Sequence, residues 1–285
     1  MKERQDTAPF LKWAGGKRQL LHEITKLLPK DIGSRKYYEL FVGGGALLFH
    51  LQPVNGFIND SNPELTNAYR TVRDNLGELL EALRQHEALN SAEHFYEVRA
   101  LDRDPGLGRL SPVERAARMI YLNQTCYNGL YRVNGSGFFN TPYGKYRNPH
   151  IADTTRLTAA SRFLNANCIR IACGDYADQV GEISTRSFVY LDPPYHPTSR
   201  DRSFTAYVKG GWTEEDQIRL RDFCNLLDSH GVPFLLSNSS TEFIRDIYHG
   251  YRIHTVRATR MISSKGNGRS PVEEVLIFNY DPTQL

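Results

Sequence analysis

Cysteine is scarce in this chain and poorly placed for a structural role. Cys126, Cys168, Cys173 and Cys224 are the only four in 285 residues. None falls in a Cys-x-x-Cys or Cys/His spacing, which argues against a structural zinc and against a disulfide framework. Cys168 and Cys173, five apart on an expected strand, should point to opposite faces. No apolar run is long enough to cross a bilayer, and no secretory leader pattern opens the chain, so a soluble, reduced, intracellular protein is expected. Acidic residues are absent from two stretches. Arg115 to Ala152 holds no Asp or Glu but carries Arg115, Arg118, Arg132, Lys145 and Arg147; Ile247 to Val272 is equally acid-free and carries Arg252, Arg257, Arg260, Lys265 and Arg269. On a chain with a formal net charge of only +3, this clustering points to a localised face for a polyanion, the alternative being two solvated loops. Internal repeats and long linkers are also lacking. The length therefore suggests one large α/β domain with an insertion, or two domains.

The glycine-rich segments that are present lack the usual phosphate-binding spacings. Trp13-Ala14-Gly15-Gly16-Lys17 precedes a helix expected from Gln19 to Leu28, but no Lys-Ser/Thr follows at P-loop distance. A plain glycine turn accounts for it equally well. Tyr37 to Phe41 reads as a strand, followed by Val42-Gly43-Gly44-Gly45-Ala46 and an apolar helix, the opening of a doubly wound nucleotide-binding unit. A second strand, Val54 to Ile58, ends in Asn59-Asp60, where an acid suits the two hydroxyls of a ribose. Three consecutive glycines depart from the dinucleotide pattern and point to a nucleoside without a pyrophosphate.

From Pro63 to about Gly108 the pattern is helical and polar. Ser111-Pro112-Val113-Glu114 forms a capping box for a helix to about Leu122. Asn123 to Tyr146 then interleaves aromatics, amides, glycines and basic residues, as a hairpin or loop reading base edges and phosphates would require; an aromatic loop packing on its own domain is the alternative. Strands resume at Cys168 to Ala172, ending in Gly174-Asp175-Tyr176. A buried strand, Ser187 to Tyr190, stops at Leu191-Asp192-Pro193-Pro194-Tyr195 because proline cannot continue the ladder. That corner combines a carboxylate, carbonyls and an aromatic face, three features that suit a planar exocyclic amine. An amphipathic helix from Thr213-Glu214-Glu215-Asp216 should bury Ile218, Leu220, Phe223, Leu226 and Leu227 and stop at Gly231. The strand Val232 to Leu236 should lead through Asn238-Ser239-Ser240 into a helix to about Tyr248. Strands Arg252 to Val256 and Val275 to Tyr280, with a basic loop Ser263 to Ser270 between them, close the chain.

The order of these parts resembles the Dam-type, α-group DNA adenine-N6 methyltransferases, in particular the GATC methylases of DpnII-type restriction–modification systems. The resemblance covers about Phe10 to Tyr280 and rests on Leu11-Lys12-Trp13-Ala14-Gly15-Gly16-Lys17, Glu39-Leu40-Phe41-Val42-Gly43-Gly44-Gly45-Ala46, Asn59-Asp60, Tyr127-Asn128-Gly129-Leu130-Tyr131-Arg132, Phe139-Asn140-Thr141-Pro142-Tyr143-Gly144 and Asp192-Pro193-Pro194-Tyr195. It implies a Rossmann-like α/β fold with a mostly parallel seven-stranded sheet. Residues 1–62 and 161–285 would form the catalytic domain, and 63–160 an inserted, mainly helical target-recognition domain. The implied cofactor is S-adenosylmethionine, released as S-adenosylhomocysteine, with no metal. By similarity it would be held by Trp13, Ala14, Gly15, Gly16, Lys17, Glu39, Phe41, Gly43, Gly45, Asp60, Asp175, Tyr176 and Asp192, with Tyr176 alternatively a packing residue. Asp192, Pro193, Pro194 and Tyr195 would be catalytic, and Lys12, Tyr127, Asn128, Leu130, Arg132, Asn140 and Pro142 would touch double-stranded DNA. A cytoplasmic, DNA-associated monomer or weak dimer of bacterial or phage origin is implied, off the membrane, with a companion endonuclease acting separately. Rivals on the sequence are an N4-cytosine methyltransferase, against which Asp192 speaks, an RNA or protein methyltransferase, and a non-catalytic DNA-binding relic.

Overall fold

Runs of tyrosine, phenylalanine, valine and leucine bounded by glycine and proline build the framework. In the computed structural model, which describes residues 7–103, 105–178, 183–198, 211–258 and 272–284, they form β1 (Lys36–Glu39), β2 (Gly56–Asp60), β3 (Arg170–Cys173), β4 (Ser187–Leu191), β5 (Phe234–Ser239), β6 (Arg252–Ala258) and β7 (Val272–Phe278). These make one seven-stranded sheet in the order β3-β2-β1-β4-β5-β7-β6. The first five strands in that order are parallel, with Tyr37 opposite both Gly56 and Phe188. β7 runs antiparallel to both its neighbours.

The central strands are buried on both faces, so adjacent residues serve two different cores. Tyr37, Phe188, Tyr190, Leu235 and Leu276 pack on one side; Tyr38, Val189, Leu191, Leu236 and Ile277 pack on the other. The first face is covered by α1 (Leu21–Leu27), α2 (Ala46–Leu51), α3 (Pro63–Asp74) and α7 (Thr154–Ala166), the second by α8 (Glu214–Ser229) and α9 (Glu242–Ile247). Between α3 and α7 lie α4 (Leu76–Ala88), α5 (Ala92–Ala100) and α6 (Pro112–Thr125). The capping box expected at Ser111 forms, with the Ser111 and Glu114 side chains each bonded to the other's backbone N–H. Each such cap contributes about 1 kcal/mol.

Several expectations give way to competing partners. The first helix begins at Leu21 instead of Gln19, because Lys17–Gln19 form a tighter turn that directs the Lys17 side chain inward. In α8, Ile218 and Leu226 face solvent, so only Leu220, Phe223 and Leu227 of the five expected residues are buried. Ser237, Asn238 and Ser239 stay in β5, and α9 is capped by Thr241 instead. Cys168 precedes β3 in a left-handed conformation, and both it and Cys173 are exposed, so the opposite-face argument fails. The basic loop at Arg260, Lys265 and Arg269 lies outside the described residues.

Within the helical insertion, His86 Nδ1 and His94 Nε2 are 2.9 Å apart, and both rings lie against Tyr121. Burial, with the neighbouring His94 ring adding to it, lowers the His86 pKa from 6.5 to about 4. The unfolded chain therefore takes up this proton before the folded one does. The stability it contributes is complete above about pH 6.5 and is lost as the pH falls toward 4. His86→Phe, which keeps a ring against Tyr121, should show a smaller fall in Tm between about pH 7 and about pH 4.5 than the parent chain by calorimetry. Equal falls would place the acid sensitivity elsewhere.

Candidate active site

The chain winds from β1 outward through β2 to β3, then returns to the centre and continues through β4 to β5. Such a reversal opens a crevice beyond the carboxyl ends of the two central strands, here β1 and β4. The turn after β1 uses left-handed Gly43 and Gly45, at φ 48° and 69°. At Gly43 a Cβ would meet the Trp13 indole at 2.8 Å, and at Gly45 the Tyr69 hydroxyl at 2.6 Å, so larger residues are excluded by space as well as conformation. Asp60 ties this turn to the end of β2, accepting from Gly43 N at 3.1 Å and from Asn62 N at 2.9 Å. Burial raises the Asp60 pKa, and the Asn62, Gly43 and Ser61 amides offset part of the rise. Glu39 is buried one turn beneath. It accepts from the Tyr37 hydroxyl at 2.8 Å and from the Leu48 amide at the start of α2. Burial pushes its pKa up to about 8, with Asp192 contributing in the same direction. Glu39 therefore caps a helix within the core.

At the end of β4 the two prolines halt the ladder. Asp192 Oδ1 receives both the Lys17 ammonium and the Ser237 hydroxyl, each at 2.8 Å. Burial raises the Asp192 pKa, and Lys17 and Ser237 oppose that shift. Among the described residues, no group donates to Asp192 Oδ2 or to the Pro193 carbonyl. Lys17 is bonded to the Gly15 carbonyl at 2.5 Å and sits 4.5 Å from the centre of the Tyr195 ring, while the Tyr195 hydroxyl donates to Glu274 on β7 at 2.8 Å. Gln217 Nε2 donates to the Pro194 carbonyl at 2.9 Å and Gln217 Oε1 accepts from Asn238 Nδ2 at 3.0 Å. Asn238 Oδ1 in turn accepts from His196 N, and Ser239 donates to the His196 carbonyl. Gln217, Ser237, Asn238 and Ser239 are all buried. The sequence reading missed these four. Their signal was polar residues interrupting an apolar strand and an apolar helix face.

The glycine turn and the proline corner thus converge, with Trp13 to Lys17 joining them. Phe41 extends from the turn into an aromatic cluster with Tyr176 at 5.1 Å and Trp212 at 5.7 Å. Tyr176 is buried there with its hydroxyl unpartnered among the described residues, which supports its packing role. Asp175 points outward to Arg219 through two contacts of 2.7 and 2.8 Å; that hydrogen-bonded ion pair keeps its carboxyl below the usual range.

The interleaved segment after α6 folds back on itself through antiparallel bridges Cys126–Tyr143 and Val133–Phe139. Asn128 and Gly129 are both left-handed, and the Lys12 side chain crosses directly over Gly129. Buried Asn123, also missed from sequence, holds the two segments together. It accepts from Lys12 N at 2.9 Å and donates to Lys12 O at 2.8 Å and Gly129 O at 3.1 Å. Tyr131 stacks on Trp13 at 5.0 Å, joining this segment to the crevice. Tyr127, Asn128, Arg132 and Pro142 are exposed, Leu130 and Asn140 partly so. Arg132 Nε donates to Asn140 Oδ1 at 2.7 Å.

Comparison with known proteins fits this arrangement. A family model described as "D12 class N6 adenine-specific DNA methyltransferase" matches residues 13–262. The chain is 44% identical over 279 residues to a type II methyltransferase, M1.LlaDCHI, of Lactococcus lactis subsp. cremoris, covering 98% of each. It is 42% identical to the type II methyltransferase M.MjaIII of Methanocaldococcus jannaschii, over 96% of this chain and all of that one. To the DNA adenine methylase of Escherichia coli K12 it is 35% identical, over 96% and 95%. The matched stretch takes in the glycine turn, the hairpin after α6 and the proline corner alike, and the chain belongs to the D12 class of N6 adenine-specific DNA methyltransferases.

Proposed function

We propose that this enzyme methylates the N6 amine of an adenine flipped out of duplex DNA within GATC. The observation that carries the chemistry is the division of labour at Asp192. Oδ1 is occupied by Lys17 and Ser237, while Oδ2 and the adjacent Pro193 carbonyl have no donor among the described residues. An adenine amine has two N–H groups and a lone pair delocalised into its ring. Two acceptors at this corner engage both protons and localise the lone pair for attack. The amine gains positive charge as it reacts, and preorganised acceptors stabilise that charge more than they stabilise the ground state. Asp192 need not remove the proton outright.

Tyr195, fixed by Glu274 and Lys17, offers the face on which the displaced base stacks, compensating for a few kcal/mol of lost stacking in the duplex. Across the crevice, the donor set suits a nucleoside. A carboxylate has about four lone-pair positions, so Asp60 can serve Gly43, Asn62 and Ser61 and still accept from a ribose hydroxyl. Phe41 presents an aromatic face beside it. S-Adenosylmethionine, when bound here, supplies a methyl group on a cationic sulfur. The remaining contribution of the chain is alignment of the amine with that methyl group, which is worth several kcal/mol of barrier.

GATC follows from the resemblance to the GATC methylases, by which Lys12, Tyr127, Asn128, Leu130, Arg132, Asn140 and Pro142 would touch the DNA. We assign residues 63–160 as the recognition insertion. The type II names of two relatives support a partner endonuclease acting separately on the same sequence. A cytoplasmic monomer or weak dimer fits that role.

Tritium transfer from labelled S-adenosylmethionine to duplex DNA, followed by nucleoside analysis, should give N6-methyl-2′-deoxyadenosine; label in N4-methyl-2′-deoxycytidine would overturn the reading. Asp192→Ala should abolish transfer while S-adenosylmethionine still binds, and near-parental turnover would remove Asp192 from the chemistry. Arg132→Ala should reduce discrimination by roughly 1–3 kcal/mol at one base pair of the site, read as kcat/KM on a panel of altered duplexes. A flat panel would exclude Arg132 from base reading.

A further inference from the structure

An ion pair outside the crevice, Asp102 with Arg118, lies against the hairpin that follows α6. Arg118 projects from the middle of α6 and is 6% exposed; Asp102, just after α5, is 9% exposed, and Arg118 Nη2 lies 3.0 Å from Asp102 Oδ2. Arg118 also donates to the last carbonyls of α5, from Nε to Val98 O at 2.9 Å and from Nη2 to Arg99 O at 3.0 Å. A guanidinium there closes a helix C-terminus with charge of the favourable sign. Asp102 is thereby held in one orientation, with its carboxylate turned toward the hairpin.

That carboxylate acts on the hairpin backbone. Asp102 Oδ2 accepts from Phe139 N at 2.7 Å, and Asp102 Oδ1 accepts from Arg103 Nη1 at 2.9 Å. Arg103 Nη2 donates to the Phe139 carbonyl at 2.7 Å. Both polar groups of one residue's backbone are therefore gripped from the α5–α6 side. Phe139 pairs across the hairpin with Val133, and its ring is buried beside Tyr131. The next residue, Asn140, donates its backbone amide to the Arg132 carbonyl at 2.9 Å, and its side-chain Oδ1 accepts from Arg132 Nε. The guanidinium proposed to read a base is thus two hydrogen-bonded steps from the buried pair. Stability alone does not account for the pair, since a buried ion pair does little that well-packed apolar residues could not do. What apolar residues cannot supply is direction: one carboxylate that fixes where Phe139 N points.

We infer that Asp102 and Arg118 are positioning residues for sequence discrimination, setting the angle from which Arg132 meets the DNA. The inference rests on the proposed reading of the hairpin as the DNA-reading element. Its test compares kcat/KM on GATC duplex and on duplexes altered one base pair at a time. Asp102→Asn, which keeps the side-chain shape, and Arg118→Met should each reduce discrimination about tenfold, within the range for a weakened base contact, at the same base pair that Arg132→Ala affects. S-Adenosylmethionine binding should be unchanged. Arg118→Lys should restore much of the loss, and Asp102→Asn combined with Arg132→Ala should discriminate no worse than Arg132→Ala alone. Asp102→Asn carries the test if Arg118→Met fails to fold. Unchanged discrimination in the folded variants, or an equal loss at every position, would overturn the positioning role and leave the pair a stabilising contact. An Arg132→Ala variant with parental discrimination would instead overturn the underlying reading of the hairpin, and this inference with it.

Discussion

A carboxylate taken out of water must be compensated, and the surroundings of Asp192 are organised by that requirement. One oxygen carries the Lys17 and Ser237 contacts. Lys17 can reach it because the glycine turn before α1 folds its side chain inward, and Ser237 because β5 runs parallel beside β4. The prolines then prevent β4 from consuming its own final carbonyls in the ladder. Gln217 and Asn238 complete the arrangement from behind, fixing Pro194 and His196 without touching Asp192 itself. The corner is rigid because every buried polar group on its protein side has a defined partner.

The second organising element is the linkage between this corner and the hairpin that follows α6. Trp13 lies against the glycine turn on one side and stacks on Tyr131 on the other. Asn123 draws Lys12 and the Gly129 turn together through three hydrogen bonds. Residues separated by more than a hundred positions are thus placed as neighbours, and the crevice and the hairpin share a wall.

Much of the architecture was legible in the sequence because central parallel strands are apolar on both faces and end at glycine or proline. The glycine turn, Asp60, the proline corner and the Ser111 cap all announced themselves by local composition. What escaped was long-range polar satisfaction. Ser237, Asn238 and Gln217 look like flaws in apolar patterns until the corner that needs them is assembled. Asn238-Ser239-Ser240 read as a helix start because such residues cap helices, yet here the first two are drawn into β5 by partners at His196 and Gln217. Glu39 is similar: its contacts to the Tyr37 hydroxyl and the Leu48 amide are long-range polar pairings that local composition does not announce. Ile218 and Leu226 followed helical periodicity but lie on the outer side of α8, exposed among the described residues.

The Asn123 clamp bears on how such a scaffold accommodates change. Lys12 precedes β1, whereas the hairpin follows α6, so the wall they share is assembled from two distant parts of the chain. Exchanging the insertion alone between relatives would pair a new hairpin with an old Lys12 segment, and the shared amide would have to accommodate both. The two segments form a matched set, since a change in either alters the backbone groups that Asn123 has to meet.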